Sequence, residues 1–253
     1  MAFEPENDLE RSLVQAAKDP AHRPQFYRDF LGADLFVVEE GPPRTSGPRT
    51  LEQGAKLSLV TFEREGHTII PIFSSLPRLG AFIKQEVNYI AMKTPDFLKM
   101  TEGATLVLNP GSDYGKEFNA AEIASLLDGS MWRPSDVYVT PKQTKVLIGQ
   151  PANYPTELVN ALQRYFEGTP EVVRAFLAHY FNPDRDQKAH TLIAMEVTGE
   201  WDKVAAGAGM VARDVEVPDP PIDFLQMTGK PGLEDHFRKG VRPFYEKKSG
   251  GAS

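Results

Sequence analysis

The sequence contains no cysteine. That excludes disulfides, thiolate nucleophiles and zinc or iron–sulfur sites built on thiolates. It has no apolar run of 18 residues, so no spanning helix is expected. Its opening, MAFEPENDLERS, has neither the basic stretch nor the apolar stretch of a secretory signal. A basic excess is also missing. Lys and Arg number 28 against 35 Asp and Glu, a net charge of −7. Neither half of the chain is basic, so the electrostatic footprint of a nucleic-acid binder is lacking. What remains is an ordinary soluble composition, 41% hydrophobic and 25% charged over 253 residues. That is long enough for one large domain or two small ones without covalent staples.

Periodicity organises the chain into two mixed halves. Leu9, Leu13, Ala16 and Ala17 recur at helical spacing and predict a helix over 8–18, capped by Asn7 or Asp8. A second short helix is expected over 23–31 and a strand over 35–38. Residues 41–50, GPPRTSGPRT, read as a mobile loop carrying Arg44 and Arg49. A hairpin follows, with Lys56–Arg64 turning through Glu65-Gly66-His67 into Thr68–Phe73. Pro71 places the returning strand at an edge or bulge. Ser74 or Ser75 caps a helix with Pro77 in its first turn. Val87–Met92 is a further apolar run, a short helix is expected over 95–101, and Ala104–Leu108 is a strand. Asn119 and Glu122 have capping-box spacing before another helix.

Residues 131–143 read as a linker with a possible short strand at Val137–Val139. Beyond it are predicted a strand at Lys145–Gly149 and a helix burying Leu158, Leu162, Tyr165 and Phe166. A second helix is expected to bury Val172, Val173, Phe176, Leu177 and Tyr180. A polar loop at 182–188, a strand at His190–Val197, a helix at Glu200–Arg213, a strand at Pro221–Met227 and a helix at 232–240 complete the half. The expected class is therefore α+β, in two small domains over 1–130 and 144–248. Residues 249–253 are expected to be disordered.

Familiar chemistries are poorly represented. The five histidines, His22, His67, His179, His190 and His236, form no metal-ligand pair. His179 is expected on the surface of a helix. Gly111-Ser112-Asp113-Tyr114-Gly115-Lys116 looks like a phosphate loop running into a helix. A Walker loop, however, has four residues between its glycines and a hydroxyl after the lysine. Here there are three, and Glu117 follows. The segment reads instead as a tight turn, with both glycines at positive φ and with Tyr114 and Phe118 packing it down. No G-x-S-x-G elbow occurs. Asp184, Asp186 and Glu200 are expected in solvent. Trp132, Tyr138, Tyr154, Trp201 and Tyr245 are candidate interface anchors, each with packing as its plainer role. The basic tail, Arg238, Lys239, Arg242, Lys247 and Lys248, reads as a solvated helix end.

Several motifs in order resemble one family. LVLNPGSDYGKEF (106–118), LERSLVQAAKDPAHRPQFYRDFL (9–31), IPIFSSLPRLGAFI (70–83) and IGQPANYPTELVNALQRYF (148–166) are similar to segments of the SseB family. So are PIDFLQM and RPFYEKK near the end. These are the bacterial "enhanced serine sensitivity" proteins. The resemblance implies a two-domain cytoplasmic protein, and brings no established reaction, cofactor or catalytic residue. No cofactor or metal is therefore expected. The expected function is a non-catalytic adaptor or regulator that binds a protein partner, not nucleic acid or membrane. Two loops are the candidate surfaces. One is Asn109, Gly111, Ser112, Asp113, Tyr114, Gly115, Lys116 and Glu117. The other is Gly149, Gln150, Asn153 and Tyr154. The alternative is a sensor or enzyme for an amino acid or carboxylate, with Lys116 and nearby backbone N–H groups holding the acid.

Overall fold

A computed structural model describes residues 3–42, 57–64, 66–133, 145–213, 215–230 and 232–248. The chain divides into two compact units, Met1–Met131 and Trp132–Ser253. Both mix helices with sheets, and the fold class is α+β. Most of the expected linker, from residue 134, lies outside the described residues, as do Val137–Val139, the loop from residue 43 and the tail from 249.

In the first unit, α1 (Asp8–Lys18) starts at Asn7, whose side-chain oxygen accepts from Glu10 N–H at 2.9 Å. Leu9 and Leu13 line its buried side. A 3-10 turn (Pro20–His22) leads into α2 (Arg23–Gly32) and then β1 (Asp34–Glu39). The hairpin forms as β2 (Phe62–Arg64) and β3 (His67–Ile72), antiparallel. Its first strand is shorter than expected. Leu59 bridges Glu39 of β1 instead, so the chain changes partners between 59 and 62. Next come α3 (Leu76–Phe82), β4 (Asn88–Lys93), α4 (Thr94–Met100), β5 (Thr105–Leu108), β6 (Lys116–Phe118) and α5 (Ala120–Leu127). β1 pairs with β4, and the main sheet has the order β2-β3-β5-β6.

That order explains Pro71. β3 lies between β2 and β5, but β2 begins only at Phe62, opposite Ile69, so at residue 71 that side of β3 is locally an edge, as expected for a proline. Register assigns the two sheet faces. Ile72, Leu106, Leu108 and Phe118 share one face and are fully buried. Phe118 stacks on Phe30 of α2 with ring centroids 4.3 Å apart. Phe62, Ile69, Pro71, Val107 and Glu117 share the other face.

The second unit contains β7 (Leu147–Gly149), α6 (Thr156–Glu167), β8 (Val172–Phe181), β9 (His190–Val197), α7 (Trp201–Ala212), β10 (Ile222–Gln226), α8 (Leu233–Gly240) and β11 (Tyr245–Glu246). Residues 172–181 are therefore a strand and not the expected helix. Ala175 and Leu177 point into one core, with α6 and α7, whereas Phe176 and Ala178 point into the other, with Phe237 of α8. A strand covered on both faces reads as a continuous apolar run, and the period of two disappears from the sequence. The β-branched Val172-Val173 pair favours the strand. β8 is the centre of the sheet. β9 lies on one side, and β7 and β11 share the other.

Tyr245 and Trp201 pack against the α6–α7 core, and the Tyr245 hydroxyl donates to the Phe166 carbonyl at 2.9 Å. Tyr138 lies outside the described residues. The Phe30–Phe118 stack predicts that Phe30→Ala lowers stability by about 3–5 kcal/mol in urea unfolding. A loss below about 1 kcal/mol would show that the stack is not a core contact.

Candidate functional site

The loop between β5 and β6 is held from beneath by a buried polar junction. Glu10, on α1, has no solvent exposure. Its carboxylate accepts from Ser74 Oγ at 2.6 Å, Ser75 Oγ at 2.9 Å, Glu6 N–H at 2.9 Å and the Arg78 guanidinium at 2.8 Å. Burial alone would raise its pKa. The Arg78 charge and the hydroxyl and N–H donors outweigh that and hold it below the ordinary 4.5. Ser74 carries the junction onward. Asn109 donates from Nδ2 to Ser74 Oγ at 2.8 Å and accepts from Ser74 N–H at 3.0 Å. Asn109 is itself buried and takes φ +51°, in the left-handed region that Asn tolerates best among residues with a side chain.

Above this anchor the loop turns tightly. Gly111 has φ +75° and lies against Phe82. Gly115 does not have the expected positive φ. It is required for space, because a Cβ there would sit 2.7 Å from the Leu108 carbonyl oxygen. The loop also does not run into a helix, since β6 intervenes. Lys116 lies on that strand and pairs with Glu122 at 3.0 Å. Glu122 does not close the expected capping box. Its N–H is capped by Asn119, while its carboxylate accepts from the Tyr27 hydroxyl at 2.5 Å. Glu117 pairs with Arg64 across the sheet face.

The loop has two faces. One borders an open groove of about 510 Å³, floored by Ile69, Pro71 and Val107 and walled by Phe62 and Phe82. Those two phenylalanines are 39% and 36% exposed and meet edge to face at 5.7 Å. Asn109, Gly111, Ser112, Gly115, Lys116 and Glu117 contribute to this side. Tyr114 belongs to the other face, where its ring meets Phe3 at 5.2 Å. Asp113 is exposed and does not border the groove.

In the second unit, Gly149 and Gln150 border a groove of about 430 Å³ with Leu147, His179 and Phe181. Asn153 and Tyr154 do not line it, and Tyr154 is exposed. His179 stands on β8, not on a helix, with Nε2 3.4 Å from Asp219. A third arrangement went unread in the sequence. His190 is buried, with Nε2 3.0 Å from Asp223 and Nδ1 3.8 Å from Asp186. Arg185 pairs with both aspartates. Asp186 is thus not in solvent. Burial would raise its pKa, but Arg185 and the Asn182 N–H hold it below the ordinary 3.8. No spacing rule marks this set, since Asp223 arrives from a distant strand. It borders a cleft of about 530 Å³. Among the described residues no group of His, Asp and Glu has metal-site geometry.

Two predictions follow from the anchor. Gly115→Ala forces its Cβ onto a backbone oxygen, so it costs about 1–3 kcal/mol in urea unfolding, as overpacking does. Gly80→Ala, on α3 with nothing within 4 Å of the new Cβ, is neutral or stabilising and serves as the control. Equal behaviour of the two would mean that the loop yields. For Glu10, a folded pKa below 4.5 means that its ionised form stabilises the fold above pH 4.5 and that this contribution is lost as pH falls through the folded value. Wild type should therefore melt well above Glu10→Gln at pH 7, and the gap should close in acid. A gap that is independent of pH contradicts the ionised junction.

Comparison with known proteins agrees with this architecture. Residues 9–125 match the SseB protein N-terminal domain, and residues 140–247 match the SseB protein C-terminal domain. The chain is 31% identical over 251 residues to Protein SseB of Escherichia coli (strain K12), covering 98% of this chain and 95% of that protein. Protein SseB of Shigella flexneri gives the same identity and coverage. No solved structure matches. With both domains matched in order and the relatives covered nearly end to end, the chain belongs to the SseB family.

Proposed function

We propose that this protein is a non-catalytic cytoplasmic adaptor or regulator that binds a protein partner through the groove of its first unit. The observation that carries this reading is the groove's surface chemistry. Its floor is apolar, its walls are two half-exposed aromatic rings, and it is open rather than enclosed. Small-molecule sites are usually enclosed pockets with converging polar groups. Exposed aromatic patches mark polypeptide interfaces. The cations beside the groove are already neutralised, Lys116 by Glu122 and Arg64 by Glu117. That geometry argues against the alternative in which Lys116 holds the carboxylate of an amino acid. The serine link implied by the family resemblance is then regulation exercised through the bound partner.

The test is affinity capture from native cytoplasm with mass spectrometry, comparing wild type with Phe62→Asp and with Asp113→Ala. A discrete partner should be retained by wild type and by Asp113→Ala. The folded Phe62→Asp protein should lose it by about 30-fold, the worth of one aromatic anchor of ~2 kcal/mol. An unchanged partner set across all three would remove the groove from the account.

A further inference from the structure

The face of the loop that carries Tyr114 is already occupied, and the occupant is the chain itself. Residues 3–7 run from Phe3 to the helix cap at Asn7. The Phe3 ring lies between two groups. The Arg78 guanidinium sits over it at 3.7 Å, and the Tyr114 ring meets it edge-on at 5.2 Å. Lys18 approaches the Tyr114 ring at 5.9 Å. Arg78 also donates to the Glu4 carbonyl, and Glu6 N–H donates to Glu10. The segment reads Phe-Glu-Pro-Glu. An aromatic side chain is thus laid between a guanidinium and an aromatic ring, and Glu4 meets the same guanidinium through its backbone carbonyl. The two ring contacts are of the cation–π and edge-to-face kinds.

The pieces of the patch do not depend on the segment for their placement. Arg78 keeps its ion pair with Glu10 at 2.8 Å, and Tyr114 is carried by a loop anchored through Asn109. Glu6 stays on Glu10 through its N–H, whereas residues 3–5 are held by the Phe3 ring contacts and the Glu4 carbonyl, and Glu4 and Pro5 are exposed. Residues 3–5 are therefore placed to leave without opening the Glu10 junction, and the patch persists when they leave.

We propose that residues 3–5 act as an intramolecular ligand covering a recognition patch of Tyr114, Arg78 and Lys18, and that this patch takes an aromatic residue from a partner polypeptide. Binding in trans requires release of the segment in cis, so the segment sets a threshold for the partner. Tethering gives it an effective concentration in the millimolar range, which a partner overcomes with contacts elsewhere. This surface is on the side of the loop away from the Phe62 groove, and its test is independent of that groove.

The probe is the segment itself, as the peptide acetyl-Ala-Phe-Glu-Pro-Glu-Asn-amide, titrated into isotope-labelled full-length chain and followed by NMR. In Phe3→Ala the ring site between Arg78 and Tyr114 is vacated while Arg78 keeps Glu10. The peptide should then cause saturable shifts at Tyr114, Arg78 and Lys18. Wild type should give no such shifts, and a peptide with alanine in place of its phenylalanine should give none with either protein. Phe3→Leu, which keeps bulk without the ring, is the second host should Phe3→Ala be unstable. The proposal is overturned if neither variant shows saturable shifts by about 10 mM peptide, above the tethered concentration. It is equally overturned if wild type responds as the variants do, since the segment would then not be covering the patch.

Discussion

The first unit is organised around one buried charge. Placing a carboxylate out of water is costly unless every oxygen finds a donor. Glu10 finds four donor groups, and they come from different parts of the chain: Glu6 ahead of its own helix, and Ser74, Ser75 and Arg78 at the start of α3. Satisfying the carboxylate therefore fixes α1 against the end of β3. Asn7 adds to the same clamp by donating to the Ser74 carbonyl at 2.9 Å. Ser74 then hands the constraint to Asn109, where β5 leaves the sheet. A loop without regular hydrogen bonding thus begins from a rigid point.

That rigidity bears on the docking role proposed for the loop. A docking surface on a floppy loop loses affinity to ordering. Here Asn109 fixes one end, and the close approach of Gly115 to the Leu108 carbonyl fixes the other. The residues between them turn one side toward the Phe62–Phe82 groove and Tyr114 toward Phe3. The polar side chains that look most chemical in the sequence serve the scaffold. Lys116 is committed to Glu122, and its ammonium also lies over the Phe118 ring at 4.9 Å. The groove floor and walls are apolar and aromatic, which suits the binding role proposed above.

Much of the fold is legible in the sequence, and the failures have physical reasons. α1 and α6 are amphipathic enough to be read directly, and α7 is read from its Ala-rich run. The strand at 172–181 is misread because two cores cover it, which erases alternation. β6 and β11 are too short to show a period. The candidate loop is visible from its composition, but its division into two faces is tertiary. The Asn-x-x-Glu spacings at 7–10 and 119–122 show the limit of local rules. In each the Asn caps its helix as local chemistry requires, while the Glu carboxylate also reaches a partner distant in sequence. Glu10 gives no sign of burial in the sequence, because charged residues are rarely fully buried. The His190–Asp223 contact spans 33 residues and is equally silent.

The central claim is that the Asn109 side chain, and not its left-handed backbone alone, anchors the loop. Asn109→Gly separates the two, since glycine adopts φ +51° freely and has no side chain to meet Ser74. The decisive measurement is the urea unfolding free energy of that variant against wild type. The account predicts a loss of about 1–3 kcal/mol, because the buried Ser74 N–H loses its acceptor despite the relieved backbone. Stability equal to or above that of wild type would contradict it, and would show Asn109 to be no more than a turn residue.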